Sequence, residues 1–352
     1  MKILSIETSC DDTAMAVVEF KQIHQETTCK ILANFVSSQA SLHNEYGGVF
    51  PAMAKREHIK NLPILYQQVV EKCGENFDAI TVTVGPGLEP CLWTGITFAK
   101  ELAERLNVPI IPVNHMEGHL FSSLLPEYEI GEKIILKELP ANSISLLVSG
   151  GHTEIVKINK VGDYEIIGHT VDDAVGEAYD KVARMLGLPY PGGPHISKLA
   201  ELARGRNNIP REISKPKFPR PMIHSKDYNF SFSGLKTAVL YYIRDNPIKN
   251  EDDKMAIACA FEDAAVEVLI KKITTAINEC GATHLLLGGG VSANKYLSSE
   301  LNKISKENNF EIYEPLKELT GDNAVMIAIA GYFHQDEIMK SENIKANGNL
   351  KL

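Results

Sequence analysis

The sequence predicts an α/β protein built as two related lobes, and three observations carry that prediction. A strand, turn and strand unit opens the chain (KILSIE, TSCDDT, AMAVVEF), and its design returns at mid-chain (SISLLVS, GGHT, EIVKI). Helix-period stretches follow each unit. Short apolar runs that end in glycine, DAITVTVG and THLLLGG, read as buried strands. Buried strands alternating with helices belong to a helix-covered sheet, and a single repetition argues for a doubled unit rather than a solenoid.

In chain order, the first hairpin turn carries Asp11 and Asp12. Helical periodicity follows near 55–74 and 94–106, then the β-rich run VPIIPV closed by Asn114. The second hairpin is followed by helical stretches at 172–187, 195–204 and 254–279. Glycine-rich turns stand at 85–87, 149–151, 192–193 and 288–290. The stretch from Arg204 to Pro221 holds four prolines among basic residues and reads as an exposed loop. The lobes are placed at 1–117 plus 318–340 and at 118–317, leaving a polar tail at 341–352 that is expected to fray.

Composition narrows the function classes. The 352 residues suit one large or two medium domains, and 44% hydrophobic content supplies a core. A net charge of −9 argues against broad nonspecific nucleic-acid binding but leaves room for a local basic patch. The six cysteines are scattered without a CxxC pair, which suits free thiols in a reducing compartment. The N-terminus turns polar too early for a signal peptide, and no apolar run approaches membrane-spanning length. A soluble cytoplasmic protein with no membrane partner is expected.

Several clusters suit chemistry. In NHMEGHL, His115 and His119 stand four apart, so a helix after Asn114 would put both imidazoles on one face. Neutral imidazole suits zinc or iron, although two surface histidines at a helix start would look the same. Asp322, in LTGDNAVMIA, is either a helix N-cap or a carboxylate that completes a His–His–Asp site with open positions. The glycine turns suit close approach of phosphate to backbone N–H groups, although most such turns are only turns, and the chain lacks a P-loop. Asn294, in GGGVSAN, suits either a ribose or phosphate contact or a helix cap. Asp173, Glu177 and Asp180 fall at one-face helical spacing, as an acidic site or a solvated stripe. Lys236 reads as a phosphate binder or a solvated helix lysine. Arg204, Arg206, Arg211, Lys215, Lys217 and Arg220 concentrate positive charge that would suit a phosphate backbone.

Taken together, IETSCDDTAMAV, YGGVFPAMAKREH, GPGL, VNHMEGHL, LLVSGGHTEI, DDAVGEAYDKVARMLGLPYPGGP, FSFSGLKTAV, GGGVSAN and GDNAVMIA resemble, in order, the motifs of the TsaD family, the tRNA N6-adenosine threonylcarbamoyltransferases, in its bacterial branch. The resemblance runs from Ile3 to about Gly331. It implies the actin/Hsp70/sugar-kinase fold, with two related lobes around a nucleotide cleft. It implies transfer of threonylcarbamoyl from threonylcarbamoyl-AMP to N6 of the adenosine 3′ of the anticodon, with AMP released. It further implies one divalent metal ion, iron or zinc, on His115, His119 and Asp322. Substrate contacts would fall at Leu147, Val148, Ser149, Gly150, Gly151, Asp180, Gly193 and Asn294, with Asp11 in the catalytically sensitive first turn. The implied partners are tRNA and TsaB-like and TsaE-like subunits; Lys215, Lys217 and Arg220 are the candidate tRNA contacts. EPCLWTG and PAMAKREH depart from the small-residue and PELASRxH patterns usual in bacterial relatives, in the lobe where partner subunits dock.

Three other functions share some of these features. A small-molecule carbamoyltransferase would use a similar site, and a nucleotide-binding scaffold would need no metal. A metalloprotease would need the HExxH glutamate, which the HxxxH here lacks.

Overall fold

The computed structural model describes residues 1–205, 216–339 and 341–352. The chain divides into two compact units, Met1–Leu139 with Pro315–Leu352, and Pro140–Glu314.

In the first unit, β1 (Lys2–Glu7), β2 (Asp12–Ile23) and β3 (Glu26–Ser38) form an antiparallel meander. After α1 (Ala40–His43) and α2 (Pro51–Cys73), β4 (Ala79–Gly85) joins β1 in parallel. After α3 (Glu89–Leu106), β5 (Ile110–Asn114) joins β4; α4 (His115–Ser122) and β6 (Lys133–Ile135) follow. Among the described residues the sheet order is β5-β4-β1-β2-β3-β6. Strands alternate faces. Leu4, Ile6, Ile80 and Val82 pack with Leu62, Leu65, Ile96 and Ala99 of α2 and α3. The intervening residues Ser5 and Thr81 meet α10 (Ala324–Phe333) instead: Ser5 Oγ donates to the Ala324 carbonyl at 2.6 Å. Helices on both faces leave β1 from Ile3 to Glu7 and the whole of β4 buried rather than alternately buried and exposed.

The second unit repeats the scheme. Its strands β7 (Ser143–Val148), β8 (Thr153–Lys160) and β9 (Asp163–His169) form the meander. Its helices α5 (Val175–Met185), α6 (Gly192–Gly205), α7 (Ser233–Asp245) and α8 (Glu251–Cys280) lead to β10 (His284–Gly288), then α9 (Lys295–Asn308) and β11 (Glu311–Tyr313). The order β11-β10-β7-β8-β9 matches β5-β4-β1-β2-β3 strand for strand. The expected internal repeat is therefore visible in strand order. Helix α8 supplies Phe261, Ala264, Val268 and Ile273 to this unit's core. An Asn250–Asp253 capping box starts it, and Gly281 ends it at φ 63°.

Two sequence expectations need correction. The boundaries drawn at 117/118 and 317/318 move to 139/140 and 314/315, because α4 packs on α10 and β6 returns to pair with β3. The 341–352 tail does not fray. Ile344 is 1% exposed in the first core, Asn347 N–H donates to the Val84 carbonyl at 2.8 Å, and Gly87 N–H to the Gly348 carbonyl at 3.2 Å. Backbone groups carry most of this docking, so polar side chains gave no sign of it. Among the described residues, no helix is long and apolar enough to cross a membrane.

Gly331 sets how closely α10 lies on the sheet. A Cβ there would stand 2.2 Å from Thr81 Cγ2 and 3.4 Å from Val113 Cγ2. Gly331→Ala should therefore destabilise the protein by about 1–3 kcal/mol through overpacking, read as a lower urea midpoint at unchanged slope.

Candidate metal centre and nucleotide turn

Asn114 ends β5 and caps α4, its Oδ1 accepting from Met116 N–H at 2.8 Å and Glu117 N–H at 3.4 Å. His115 and His119 are then one turn apart on one face, with ring centroids 4.6 Å apart. At α10 the cap is Asn323, whose Oδ1 accepts from Met326 N–H at 3.0 Å. Asp322 is therefore not the cap. Its Oδ1 lies 3.4 Å from His115 Nε2 and 3.1 Å from His119 Nε2. One donor atom from each residue fits within 4.8 Å of the others. Gly118, between the histidines, permits the approach: a Cβ there would meet Ile327 Cδ1 at 2.9 Å and Met326 Cγ at 3.2 Å.

The cluster fits a cation. His119 is 1% exposed, yet neither ring nitrogen makes a hydrogen bond. Leaving a buried polar atom unpaired costs about 1–3 kcal/mol, and an ion held at Nε2 would offset that. Sequence reasoning missed Glu7. Its buried carboxylate accepts from Ser9 N–H and the Thr83 hydroxyl, each at 2.5 Å, and its Oε2 stands 3.1 Å from His115 Nδ1. Holding Nδ1 this way turns Nε2 toward Asp322, as carboxylates do behind metal-bound histidines. The only sequence signal was a charged residue closing an apolar strand.

Charge decides the protonation pattern. Burial alone would lower His115, but Glu7 and Asp322 outweigh it and raise the imidazole to about 10. Burial opposes ionisation of Asp322 and Glu7 as well; His115 nonetheless holds both below the usual carboxylate range. Asp11 and Asp12 lie on the other side of the balance. Burial, then the nearby Asp322 charge, raises both, Asp12 to about 7.

The second unit gathers the other predicted residues. Leu147 and Val148 end β7, and Ser149, Gly150 and Gly151 turn the chain into β8. A Cβ at Gly150, Gly151 or Gly193 would meet nothing within 4 Å, so the fold does not require glycine there. It does at Gly176 and Gly289, where a Cβ would meet the Ser149 carbonyl oxygen at 2.5 Å and the Val148 carbonyl oxygen at 2.3 Å. Asp180 Oδ1 accepts from Gly192 N–H at 2.6 Å, which ties α5 to the start of α6 beside Gly193. Asn294 is the α9 cap and more. Its Oδ1 accepts from Leu297 N–H at 2.9 Å, while Nδ2 donates to Glu262 at 2.7 Å and Ser197 at 3.0 Å.

Other candidates are engaged elsewhere. Asp173 precedes α5 rather than sharing its acidic face, and pairs with Lys181 and Lys236, each at 2.7 Å. Glu177 pairs with Lys181 at 2.8 Å. Arg204 binds Glu262 and Asp263, and Arg220 binds Glu267 at 2.7 Å. Lys217 is exposed. Lys215, Arg206 and Arg211 lie outside the described residues.

The family model of TsaD, tRNA N6-adenosine threonylcarbamoyltransferase, matches residues 30–329. The chain belongs to this family. It is 44% identical over 356 residues to the tRNA N6-adenosine threonylcarbamoyltransferase of Thermosipho africanus, covering 100% of both chains. It is 45% identical to that of Polynucleobacter necessarius, covering 94% of this chain and 91% of the relative. Its fold is like that of HypF from T. kodakarensis, with a TM-score of 0.57 at 15% identity; the likeness covers 97% of this chain and 49% of HypF. The doubled sheet order and this likeness together give the actin/Hsp70/sugar-kinase fold. As a TsaD-family member the chain is a transferase that modifies tRNA.

A proton and a metal ion would compete for His115 Nε2. Elemental analysis should find one divalent ion per chain, lost in His115→Ala/His119→Ala. Because His115 titrates near 10, apparent affinity should rise about tenfold per pH unit between pH 6 and 8, measured with a competing chelator.

Proposed function

We propose that the chain transfers threonylcarbamoyl from threonylcarbamoyl-AMP to N6 of the adenosine 3′ of the anticodon, in tRNAs reading codons that begin with A. The observation that carries this reading is the buried His119 imidazole, without a hydrogen bond at either nitrogen and 3.1 Å from Asp322 beside His115, in a chain of this family. His115, His119 and Asp322 would hold one iron or zinc ion, which supplies Lewis-acid polarisation of donor oxygens. The 147–151 turn would receive the adenylate phosphate on its backbone N–H groups. The open space over Gly150 and Gly151 supports that, as does the cluster of Asp180, Gly193 and Asn294 nearby in the fold.

In the transfer, the adenosine N6 attacks the carbamoyl carbon, the bond from that carbon to the phosphate oxygen breaks, and AMP leaves. The N6 proton goes to Asp11, which burial and the nearby Asp322 charge make a stronger base than an ordinary carboxylate. Positioning contributes much of the rate. Lys215, Lys217 and Arg220 would contact tRNA phosphates, Arg220 after exchanging its Glu267 partner. TsaB-like and TsaE-like subunits would assemble with the chain in the cytoplasm.

The test is wild-type protein with donor, tRNA and partner subunits, followed by mass analysis of tRNA nucleosides. Threonylcarbamoyladenosine should appear with stoichiometric AMP; acylation of a small molecule but never of tRNA would overturn the reading. Gly150→Val should abolish adenine-nucleotide binding by calorimetry with the melting temperature retained, because the added side chain meets ligand rather than protein.

A further inference from the structure

Asp11 is linked to an exposed aromatic surface by a buried relay. Gln39 N–H donates to the Asp11 carbonyl at 3.2 Å, and Gln39 Oε1 lies 3.2 Å from His43 Nε2. His43 Nδ1 accepts the Phe50 N–H at 3.3 Å, so its other nitrogen carries the proton toward Gln39. Gln39 and His43 are 1% and 0% exposed. Helix α2 is tied to the same turn, because His58 Nε2 donates to the Cys10 carbonyl at 2.9 Å. At the outer end of the relay, Tyr46 and Phe50 are 55% and 50% exposed. Their rings stack on each other, centroids 5.7 Å apart and planes inclined by 20°.

Two cations follow this pair in the sequence, in the first turns of α2. Helix α2 begins directly after Phe50 with no acidic residue in its first turn. Lys55 and Arg56 are exposed and, among the described residues, neither makes an ion pair. A rise of about 1.5 Å per residue puts both within roughly 9 Å of Phe50 along the axis. In a chain of net charge −9, open aromatic faces followed by two exposed cations in the first turns of the same helix are complementary to single-stranded RNA, which such surfaces hold by base stacking and phosphate contact.

We propose that Tyr46 and Phe50 form a stacking platform for anticodon-loop bases flanking the target adenosine, with Lys55 and Arg56 on the adjoining phosphates. The proposal rests on the tRNA acyl-transfer reading above. An exocyclic amine held within a stack is shielded from an acyl donor, so the acceptor base has to leave the stack. A platform replaces the stacking that its neighbours lose. The Gln39–His43 relay fixes the platform relative to Asp11.

The experiment compares Tyr46→Leu, Phe50→Leu, Phe50→Trp and Lys55→Glu/Arg56→Glu with wild type, partner subunits present. It measures affinity for an anticodon stem-loop RNA across a salt series, the KM for tRNA, and adenine-nucleotide affinity as a control of folding. The leucine variants should bind RNA roughly tenfold or more weakly and raise KM, with nucleotide affinity unchanged. Phe50→Trp should keep wild-type RNA affinity. The charge reversal should flatten the slope of log K against log salt by up to about two. A protein-docking role would weaken partner assembly and leave RNA affinity at saturating partner as in wild type. Leucine variants that bind RNA like wild type, or a tryptophan variant as impaired as Phe50→Leu, would therefore overturn the platform. If wild type itself never acylates tRNA, the transfer reading fails, and the platform with it.

Discussion

The close packing of α10 against α4 and the first sheet is the constraint on which the candidate chemistry depends. It carries Asp322, from the far end of the chain, to within 3.4 Å of both histidine Nε2 atoms. Two glycines allow it, Gly118 on α4 and Gly331 on α10, and the Ser5 hydroxyl anchors the first carbonyl of α10 to the central strand. Asn323 completes the arrangement by capping the helix, which leaves the neighbouring carboxylate to face the imidazoles.

Around that junction the unit concentrates acid. Glu7, Asp11, Asp12 and Asp322 lie close enough to shift one another's titration, with His115 as the balancing cation. Buried charge of one sign is costly unless it is neutralised. A divalent ion would replace the proton on His115 as the balancing charge, so the same carboxylates that raise this imidazole also favour a metal. Binding to the folded chain alone would stabilise it by mass action.

Much of this was legible in the sequence, for physical reasons. The hairpins announced themselves by apolar β-rich runs joined by small polar turns. The histidines were readable because a helix begins directly after a buried strand, so a spacing of four had one geometric meaning. Asp322 stayed ambiguous, because Asp and Asn are both good caps and only coordinates show that Asn323 takes the role. Glu7 was hidden because its partners, Thr83 and His115, come from two other elements. Asp173 does not share the helix face of Glu177 and Asp180, because α5 starts at Val175, two residues after it, and spacing alone does not show where a helix begins. Arg204 and Arg220, at the ends of the basic stretch, looked more available than they are. Sequence counts charges but does not show that Glu262, Asp263 and Glu267 of α8 already engage Arg204 and Arg220.

The first unit is assembled from two separated segments, with the second unit inserted between them. This bears on biosynthesis. During translation residues 140–314 emerge as one continuous piece and are free to fold as a unit, while the first unit still lacks α10 and its docked end. Until Asp322 leaves the ribosome, the nascent chain offers only the two imidazoles of the proposed ligand set. Ion capture at that site would thus be a late event in the life of the chain, coupled to its completion.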